Sequence, residues 1–270
     1  MQLRWMVVGF LLPLAAATAS ANSPTAEDIM EKAHHAVLYQ GDMMRAFIRM
    51  TITDANGNKR KRQFYSLRLD RPSPAQQADR GLGAQYVYIY FQRPGDIKRT
   101  AFLVHKHTDK DDDRWLYLPD LDLVKRIAAG DKRTSFVGST YFYEDISGRS
   151  LGEDRHELVS NDDPYFVIKS TPKAPDSVEF AYYKSWIHKT SYIPVQVEYF
   201  DARDEKYRLW ENTQVKVVEG KSTVVSGVMH DLRRNEQTVV ESSRITYGLD
   251  VPPDIFTERY LRNPPTGYFR

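Results

Sequence analysis

The residues of this chain best suited to chemistry are two histidines, His105 and His107. Their spacing of two places both imidazoles on one face of a β-strand, where they could hold a metal ion. With nearby acids they would make a metal-dependent hydrolase, which is one open alternative. The sequence indicates no third ligand, so a pair of polar residues facing a strand edge is the favoured interpretation. We therefore predict no metal site.

An aspartate-rich run, Asp109–Asp113, has the alternating spacing of a calcium-binding loop, and Asp120 stands at the twelfth position. The loop would need glycine where Arg114 stands. Trp115–Leu118 is typical of a strand at the point where such a loop would continue. These departures favour a solvated hairpin tip over a calcium site.

The remaining motifs indicate no enzyme. Glu144 and Asp145 form a carboxylate pair, but neighbours in sequence need not pair in space. The sequence has no G-x-S-x-G elbow, no H-E-x-x-H helix, no P-loop and no dinucleotide fingerprint. We predict a protein without catalytic residues and without a cofactor.

The amino-acid composition further limits the kinds of protein this chain can be. The 270 residues include 38 Lys and Arg, 36 Asp and Glu, and no Cys, and the formal charge is +2. This composition indicates a folded protein without disulfides or thiolate sites. Balanced charge argues against a nucleic-acid partner, which normally requires a basic excess. Aromatic residues make up 12% of the chain, which favours a β-rich fold, an apolar binding surface, or both.

The N-terminus predicts export. Residues 1–21 combine a single charge, Arg4, with an apolar run too short to span a bilayer and a small-x-small ending at Ala19–Ala21. This is typical of a cleaved signal peptide of bacterial type. We expect a periplasmic protein and one domain over residues 22–270.

One amphipathic helix is expected after the signal. Ser23 with Pro24, or Thr25 with Asp28 as a capping box, provides its start. Gly41 provides its end.

Beyond Gly41 the apolar residues follow a period of two, with turn signals between short strands. Strands are predicted at 44–52, 60–70, 84–92, 97–107, 114–119, 121–128, 155–160, 164–170, 178–184, 194–200, 206–218, 222–232 and 237–247. Residues 72–83 are expected to form a loop or a short helix. Closely spaced strands without intervening helices indicate an antiparallel meander.

One strand is apolar on both faces. Tyr86, Tyr88 and Tyr90 alternate with residues that include Val87 and Ile89. Because a sheet with one wet face should alternate between apolar and polar, both faces of this strand need a cover. Protein covers on both sides, or one face lining a cavity, are the two alternatives.

Several motifs resemble those of a known family. They are Asp113–Leu121, Val124–Ile127, Ser135–Ser139, Phe142–Ile146 and the closing segment Asp254–Leu261. With the order of elements, they resemble the LolA-like outer membrane lipoprotein-sorting proteins, in a subgroup associated with RND-type exporters. The likeness covers essentially the whole chain after the signal.

The resemblance implies a mostly β fold: a strongly curved antiparallel sheet, an incomplete barrel, whose concave face is covered by helices. It implies an apolar cavity for the acyl chains of a lipid or lipoprotein. The implied partners are an inner-membrane exporter of the RND type and an outer-membrane acceptor. A periplasmic sensor or interaction module with the same fold is the alternative.

The resemblance also suggests site residues. Cavity-lining residues are expected among Tyr86, Tyr88, Tyr90, Trp115, Tyr117, Phe136 and Phe142. Sequence does not say which face of the strand at 114–119 lines the cavity. A second set, Arg126, Gly138, Ser139, Tyr143 and Asp145, is expected to support the motif or a lid. Arg126 is expected to pair with Glu144 or Asp145, and the loop at 136–139 to be either mobile or a packed corner.

Overall fold

The computed structural model describes residues 23–71 and 83–269. The predicted signal peptide and almost all of the loop predicted at 72–83 lie outside the described residues. The described residues form thirteen strands and three α-helices. Their bounds are α1 (Ala26–Leu38), β1 (Met43–Thr53), β2 (Lys59–Arg71), β3 (Ala84–Arg93), β4 (Ala101–Lys106), β5 (Asp113–Leu118), β6 (Leu123–Ile127), α2 (Tyr143–Ser147), β7 (Asp154–Ser160), β8 (Tyr165–Pro172), β9 (Tyr182–His188), β10 (Pro194–Phe200), β11 (Lys206–Val218), β12 (Lys221–Asp231), β13 (Glu236–Tyr247) and α3 (Arg259–Arg262).

All thirteen strands belong to one antiparallel sheet, in the order β6-β5-β4-β3-β2-β1-β13-β12-β11-β10-β9-β8-β7. The sheet is curved and does not close, since β6 and β7 remain its two edges. Neighbouring strands in the sheet are consecutive in the chain everywhere except at the junction of β1 with β13, where Met50 lies opposite Val240. The predicted mostly β, curved antiparallel fold with helices over the concave face is confirmed.

Local sequence explains the elements. The first hairpin turns at Asn56-Gly57, where Gly57 has a φ of +82° and donates to Asp54 O. Helix α1 begins at the Thr25 cap, whose reciprocal bonds with Asp28 form the capping box. The Ser23 and Pro24 start is therefore wrong, because Thr25 already satisfies the first free backbone N–H groups.

Two predicted strands are displaced. Residues 97–100 do not extend β4, because Gly95–Ile97 forms a 3₁₀ turn and β4 begins at Ala101. The strand predicted at 178–184 is β9 at Tyr182–His188, after the 3₁₀ turn Pro175–Ser177. Apolar alternation continues through such turns, so it gives no sign of where pairing starts.

The segment from 128 to 153 connects the two edge strands and crosses the sheet. Thr140 binds the middle of the sheet there: its N–H donates to Thr238 Oγ1 at 3.0 Å, and its hydroxyl donates to Met229 O at 2.8 Å. We call the face toward α1 and this segment the inner face, and the opposite face the outer face. On the outer face, the C-terminal segment 249–269 packs over the strands from β1 to β5.

Candidate functional site

An apolar cavity of about 390 Å³ lies between α1 and the inner face of strands β9 to β13. That volume falls in the range of about 300–1,000 Å³ typical of small-molecule sites. The apolar side chains that line it are Met30, Ala33, Val37, Leu38, Ile187, Val197, Trp210, Val224, Met229 and Val240. Apolar surface predominates in this lining, although the charged side chains of Arg68, Arg133, Asp145 and Arg149 also reach it. The cavity therefore suits a ligand that is mainly apolar.

A second cavity of about 220 Å³ adjoins the first. Its own walls come from β1 to β3, including Ile48, Phe64 and Ile89. Val37, Tyr141, Val224, Val240 and Ser242 line both cavities. The two cavities share these walls and lie side by side under α1. We call the two together the apolar cavity.

Helix α1 forms one wall because only part of its apolar face meets the sheet. Ile29, Met30 and Ala33 are buried against Phe166, Ile168 and Ile187 of the neighbouring strands. One turn later, Val37 is 38% exposed although it lines both cavities. The C-terminal half of α1 therefore presents apolar surface to open space rather than to a packed core.

A buried carboxylate anchors α2 to its surroundings. Glu144 is 2% exposed, and its oxygens lie 3.1 Å from Lys132 Nζ, 2.7 Å from Arg133 Nη1 and 3.3 Å from Arg149 Nη1. Burial alone would raise the pKa of Glu144, but the attraction of the three cations outweighs it and holds the pKa at about 2. Glu144 is therefore ionised at neutral pH, and its role is to hold α2 rather than to exchange protons.

Asp145 anchors the other side of α2. It pairs with the guanidinium of Arg208 on β11, which is 2% exposed, and accepts from Phe142 N at 2.6 Å. The ring of Phe142 lies under Arg208 at 4.1 Å and under Arg133 at 4.8 Å. These cation–π contacts place Phe142 between two guanidinium groups beside the cavity.

The structure places five of the predicted cavity residues on the outer face. Tyr86, Tyr88, Tyr90, Trp115 and Tyr117 belong to the cluster formed with the C-terminal segment. Phe269 of that segment stacks on Tyr88 at 5.9 Å and on Tyr90 at 5.1 Å, and Tyr88 OH donates to Tyr260 O at 2.6 Å. Protein therefore covers this face of β3, and none of the five lines the apolar cavity. Their role in ligand binding stays a prediction.

Phe136 and Tyr143 lie on the inner face, in the core next to the cavity. Phe136 has no exposed surface and packs on Phe102 at 5.3 Å and on Tyr143 at 5.6 Å. The loop they flank is tightly bonded: Ser139 is buried, its hydroxyl donates to Phe136 O at 2.8 Å, and Arg60 donates to Gly138 O at 3.2 Å. These contacts fit a packed corner, and a lid role for the loop stays a prediction.

The expected partner of Arg126 is wrong. Arg126 points from the outer face of β6, its side chain is 68% exposed, and it pairs with Asp113 of β5. Asp113 also lies 2.9 Å from His107 Nε2. Glu144 and Asp145 lie on the inner side, where the cations that hold them are Lys132, Arg133, Arg149 and Arg208.

The two histidines have separate partners. His105 Nε2 donates to Phe256 O at 2.7 Å, while His107 faces Asp113. Over residues 23–71 and 83–269, no group of three or more His, Asp or Glu side chains is arranged to hold a metal ion. In the same ranges no helix combines the length and the apolar character needed to cross a bilayer.

Sequence reasoning missed most of the cavity lining. Tyr141, Trp210, Met229 and Val240 come from the segment over the sheet and from β11 to β13. The available signal was the apolar face of α1, which includes Val37 next to the end of the helix. A helix of this kind must cover apolar strand residues, but sequence does not show which strands.

A family model with the description "-like: Uncharacterized protein" matches residues 83–263, which is most of the chain. The chain belongs to this family. No curated protein matches it.

Solved structures show where the fold occurs. A DUF1329 family protein from Desulfovibrio piger has a TM-score of 0.76 at 23% identity, covering 87% of this chain and 95% of that one. A domain described as an outer membrane lipoprotein-sorting protein, from Vibrio parahaemolyticus, also reaches 0.76 at 23% identity, covering 88% and 98%. A LolA superfamily protein from Nitrosomonas europaea reaches 0.66 at 18% identity, covering 88% and 100%. The chain thus has the LolA-like fold, and the resemblance predicted from the sequence is confirmed.

Proposed function

We propose that this protein is a periplasmic carrier that binds the acyl chains of a lipid or lipoprotein and moves them between membranes without chemistry. The observation that carries the proposal is the pair of adjoining, mainly apolar cavities under α1, with Val37 left accessible toward both. An accessible apolar wall of this kind costs free energy in water and favours an apolar ligand. The likeness to a lipoprotein-sorting domain supports the same proposal.

The physics of such a ligand explains why a carrier would need partners. Burying one 16-carbon chain is worth roughly 12 kcal/mol, at about 0.8 kcal/mol for each CH₂ group. Even after the cost of association, release into water would be negligible. We therefore propose an inner-membrane exporter of the RND type as donor and the outer membrane as acceptor. Each offers the chain an apolar environment similar to the cavity.

Two adjacent serines of β13 provide the test. Ser242 lines both cavities, whereas Ser243 is exposed on the other side of the strand. We expect Ser242→Trp to fill shared space in the cavity and to weaken acyl-chain binding at least tenfold. Ser243→Trp adds the same side chain outside the cavity and should bind like the wild type.

The measurement combines native mass spectrometry of protein purified from the periplasm with titration of delipidated protein by a fluorescent fatty acid. The proposal expects a bound lipid in the wild type and in Ser243→Trp, and loss of it in Ser242→Trp. Circular dichroism verifies that both variants are folded. A wild-type protein that carries no lipid and binds no fatty acid, or one that carries a stoichiometric metal instead, would contradict the proposal.

A further inference from the structure

Two cations beside the apolar cavity, the half-buried Arg68 and the buried Lys106, form no ion pair among the described residues. Arg68 of β2 lines both parts of the cavity. Lys106 of β4 is 4% exposed and lines a polar cavity of about 420 Å³. His34 and Gly148 line both the polar and the apolar cavity, so the two spaces adjoin at these residues. We call Arg68 and Lys106 the cation pair.

Protein groups satisfy only part of the cation pair. Arg68 donates from Nη1 to Gln85 Oε1 at 3.1 Å and from Nη2 to Ile146 O at 3.0 Å, while its buried Nε has no partner. Lys106 Nζ donates to Gly148 O at 2.6 Å. A guanidinium has five N–H donors and an ammonium has three, so both groups have donors to spare.

The carboxylates around the cation pair accept hydrogen bonds from other groups, although Asp70 and Asp112 still attract the two cations electrostatically. Asp112 pairs with Arg114 at 2.7 Å, and Glu144 is held by Lys132, Arg133 and Arg149. Asp70 accepts from Gln85 Nε2 at 2.6 Å, and burial raises its pKa to about 6. Within the described part of the chain, neither cation forms an ion pair.

The polar cavity carries both signs of charge, because Asp111, Asp112, Glu144 and Glu153 line it together with Lys106, Lys110, Arg114 and Lys132. Burial, followed by the charges of Lys106, His156 and Arg68, lowers the pKa of His34 to about 3. Burial also lowers the pKa of Lys106; Asp112 and Glu144 oppose this effect, and Arg114 and Arg68 add to it. Burying cations without counter-charges is costly, and an anion bound between them would remove the cost.

We propose that Arg68 and Lys106 bind the anionic head group, a carboxylate or a phosphate, of the amphiphile whose acyl chain occupies the apolar cavity. This inference rests on the proposed carrier function and narrows its substrate class to acidic lipids. The chain would lie under α1, and the head group would lie at the junction near His34 and Gly148, where the polar cavity begins. The spare donors of the two cations fit the several acceptor oxygens of such a group.

The alternative is that the two cations act only on α2, because both donate to carbonyl groups at its C-terminal end. The experiment separates the two roles by changing the ligand rather than the protein. Delipidated full-length protein is titrated with hexadecanoate, hexadecyl phosphate and hexadecanol at low salt, using displacement of a fluorescent probe. The three ligands share one chain and differ in head-group charge.

We expect the carboxylate and the phosphate to bind about 10- to 100-fold more tightly than the alcohol, the range typical of hydrogen bonds to charged groups. Arg68→Gln and Lys106→Gln should remove most of that preference, so that each variant binds the three ligands with similar affinities. Arg126→Gln, which changes an exposed cation on the outer face, should keep the preference.

Equal affinity of the wild type for all three ligands would overturn the inference while leaving the carrier function intact. Failure of all three ligands to bind would instead contradict the carrier function itself. Inorganic phosphate, which has no acyl chain, is tested as a fourth ligand. If it stabilises the protein as much as hexadecyl phosphate does, the site takes a free anion, and the inference is wrong. The wild-type comparison stands even if a variant does not fold.

Discussion

The buried Glu144 predicts a specific dependence of stability on pH. Its pKa lies at about 2 in the folded protein against 4.5 for the free side chain, although burial by itself acts in the opposite direction. At 1.36 kcal/mol for each pH unit, the ionised carboxylate contributes about 3 kcal/mol to the free energy of unfolding. Because the folded pKa is lowered, this contribution is present above pH 4.5 and is lost as the pH falls toward 2. Glu144→Gln should therefore lower the free energy of unfolding by about 3 kcal/mol at pH 7 and by much less near pH 2.

The assay is urea unfolding of the wild type and Glu144→Gln at intervals from pH 7 down to pH 2. Glu241→Gln is the matched control, since Glu241 is exposed and lies 3.8 Å from Arg49 on the sheet surface. The control should stay within about 1 kcal/mol of the wild type at every pH. If the wild type and Glu144→Gln lose stability in parallel over the whole range, the cations around Glu144 do not hold it as described.

Three further substitutions test the packing around the site. Gly148→Ala should lower the free energy of unfolding in urea by about 1–3 kcal/mol, because Gly148 has a φ of +76° and an added Cβ would lie 2.5 Å from Leu38 Cδ1. An unchanged urea midpoint would contradict this. Phe269→Ala should lower the free energy of unfolding by about 3 kcal/mol and make the C-terminal segment 249–269 susceptible to limited proteolysis. A segment that stays resistant would show that other residues hold it on the outer face. Arg126→Gln should change the free energy of unfolding by less than about 1 kcal/mol, since the Arg126 side chain in its pair with Asp113 is largely exposed. A loss above about 2 kcal/mol would show that Arg126 has a structural role after all.

The strand content could be predicted because it depends on local physics. Alternation from Met44 to Ile52 and the Asn56-Gly57 turn were enough to predict the first hairpin. The pairing of β1 with β13 joins residues 184 to 203 positions apart, from Thr53 with Gln237 to Met44 with Tyr247, and no pattern in either strand encodes that contact. Local patterns therefore predicted an antiparallel meander but not the pairing of β1 with β13.

The position of the site was harder to predict. Alternation in β3 showed that both faces need a cover, but not which cover belongs to which face. The tyrosine face meets the C-terminal segment, and the face that includes Ile89 meets the core and the smaller cavity. The segment itself carried a signal: Ile255, Phe256 and Leu261 are apolar residues without a strand pattern, and they need an apolar surface to cover.

The error at Arg126 was avoidable. Strands at 114–119 and 121–128 were predicted as neighbours in a meander, and the structure places Arg126 opposite Trp115, with Asp113 as the diagonal neighbour on the same face. Pairing Arg126 with Glu144 or Asp145 considered charge alone and ignored the sheet geometry. Cross-strand neighbours should be considered before distant carboxylates.

The central claim is that an acyl chain lies under α1 on the inner face, and photo-crosslinking tests it most directly. A fatty acid with a diazirine near the chain end is bound to delipidated protein, activated by light and mapped by peptide mass spectrometry. The account predicts labels on residues that line the apolar cavity, such as Val37, Tyr141 and Val240. Labels on the outer face at Tyr88 or Trp115, or no saturable labelling, would contradict it.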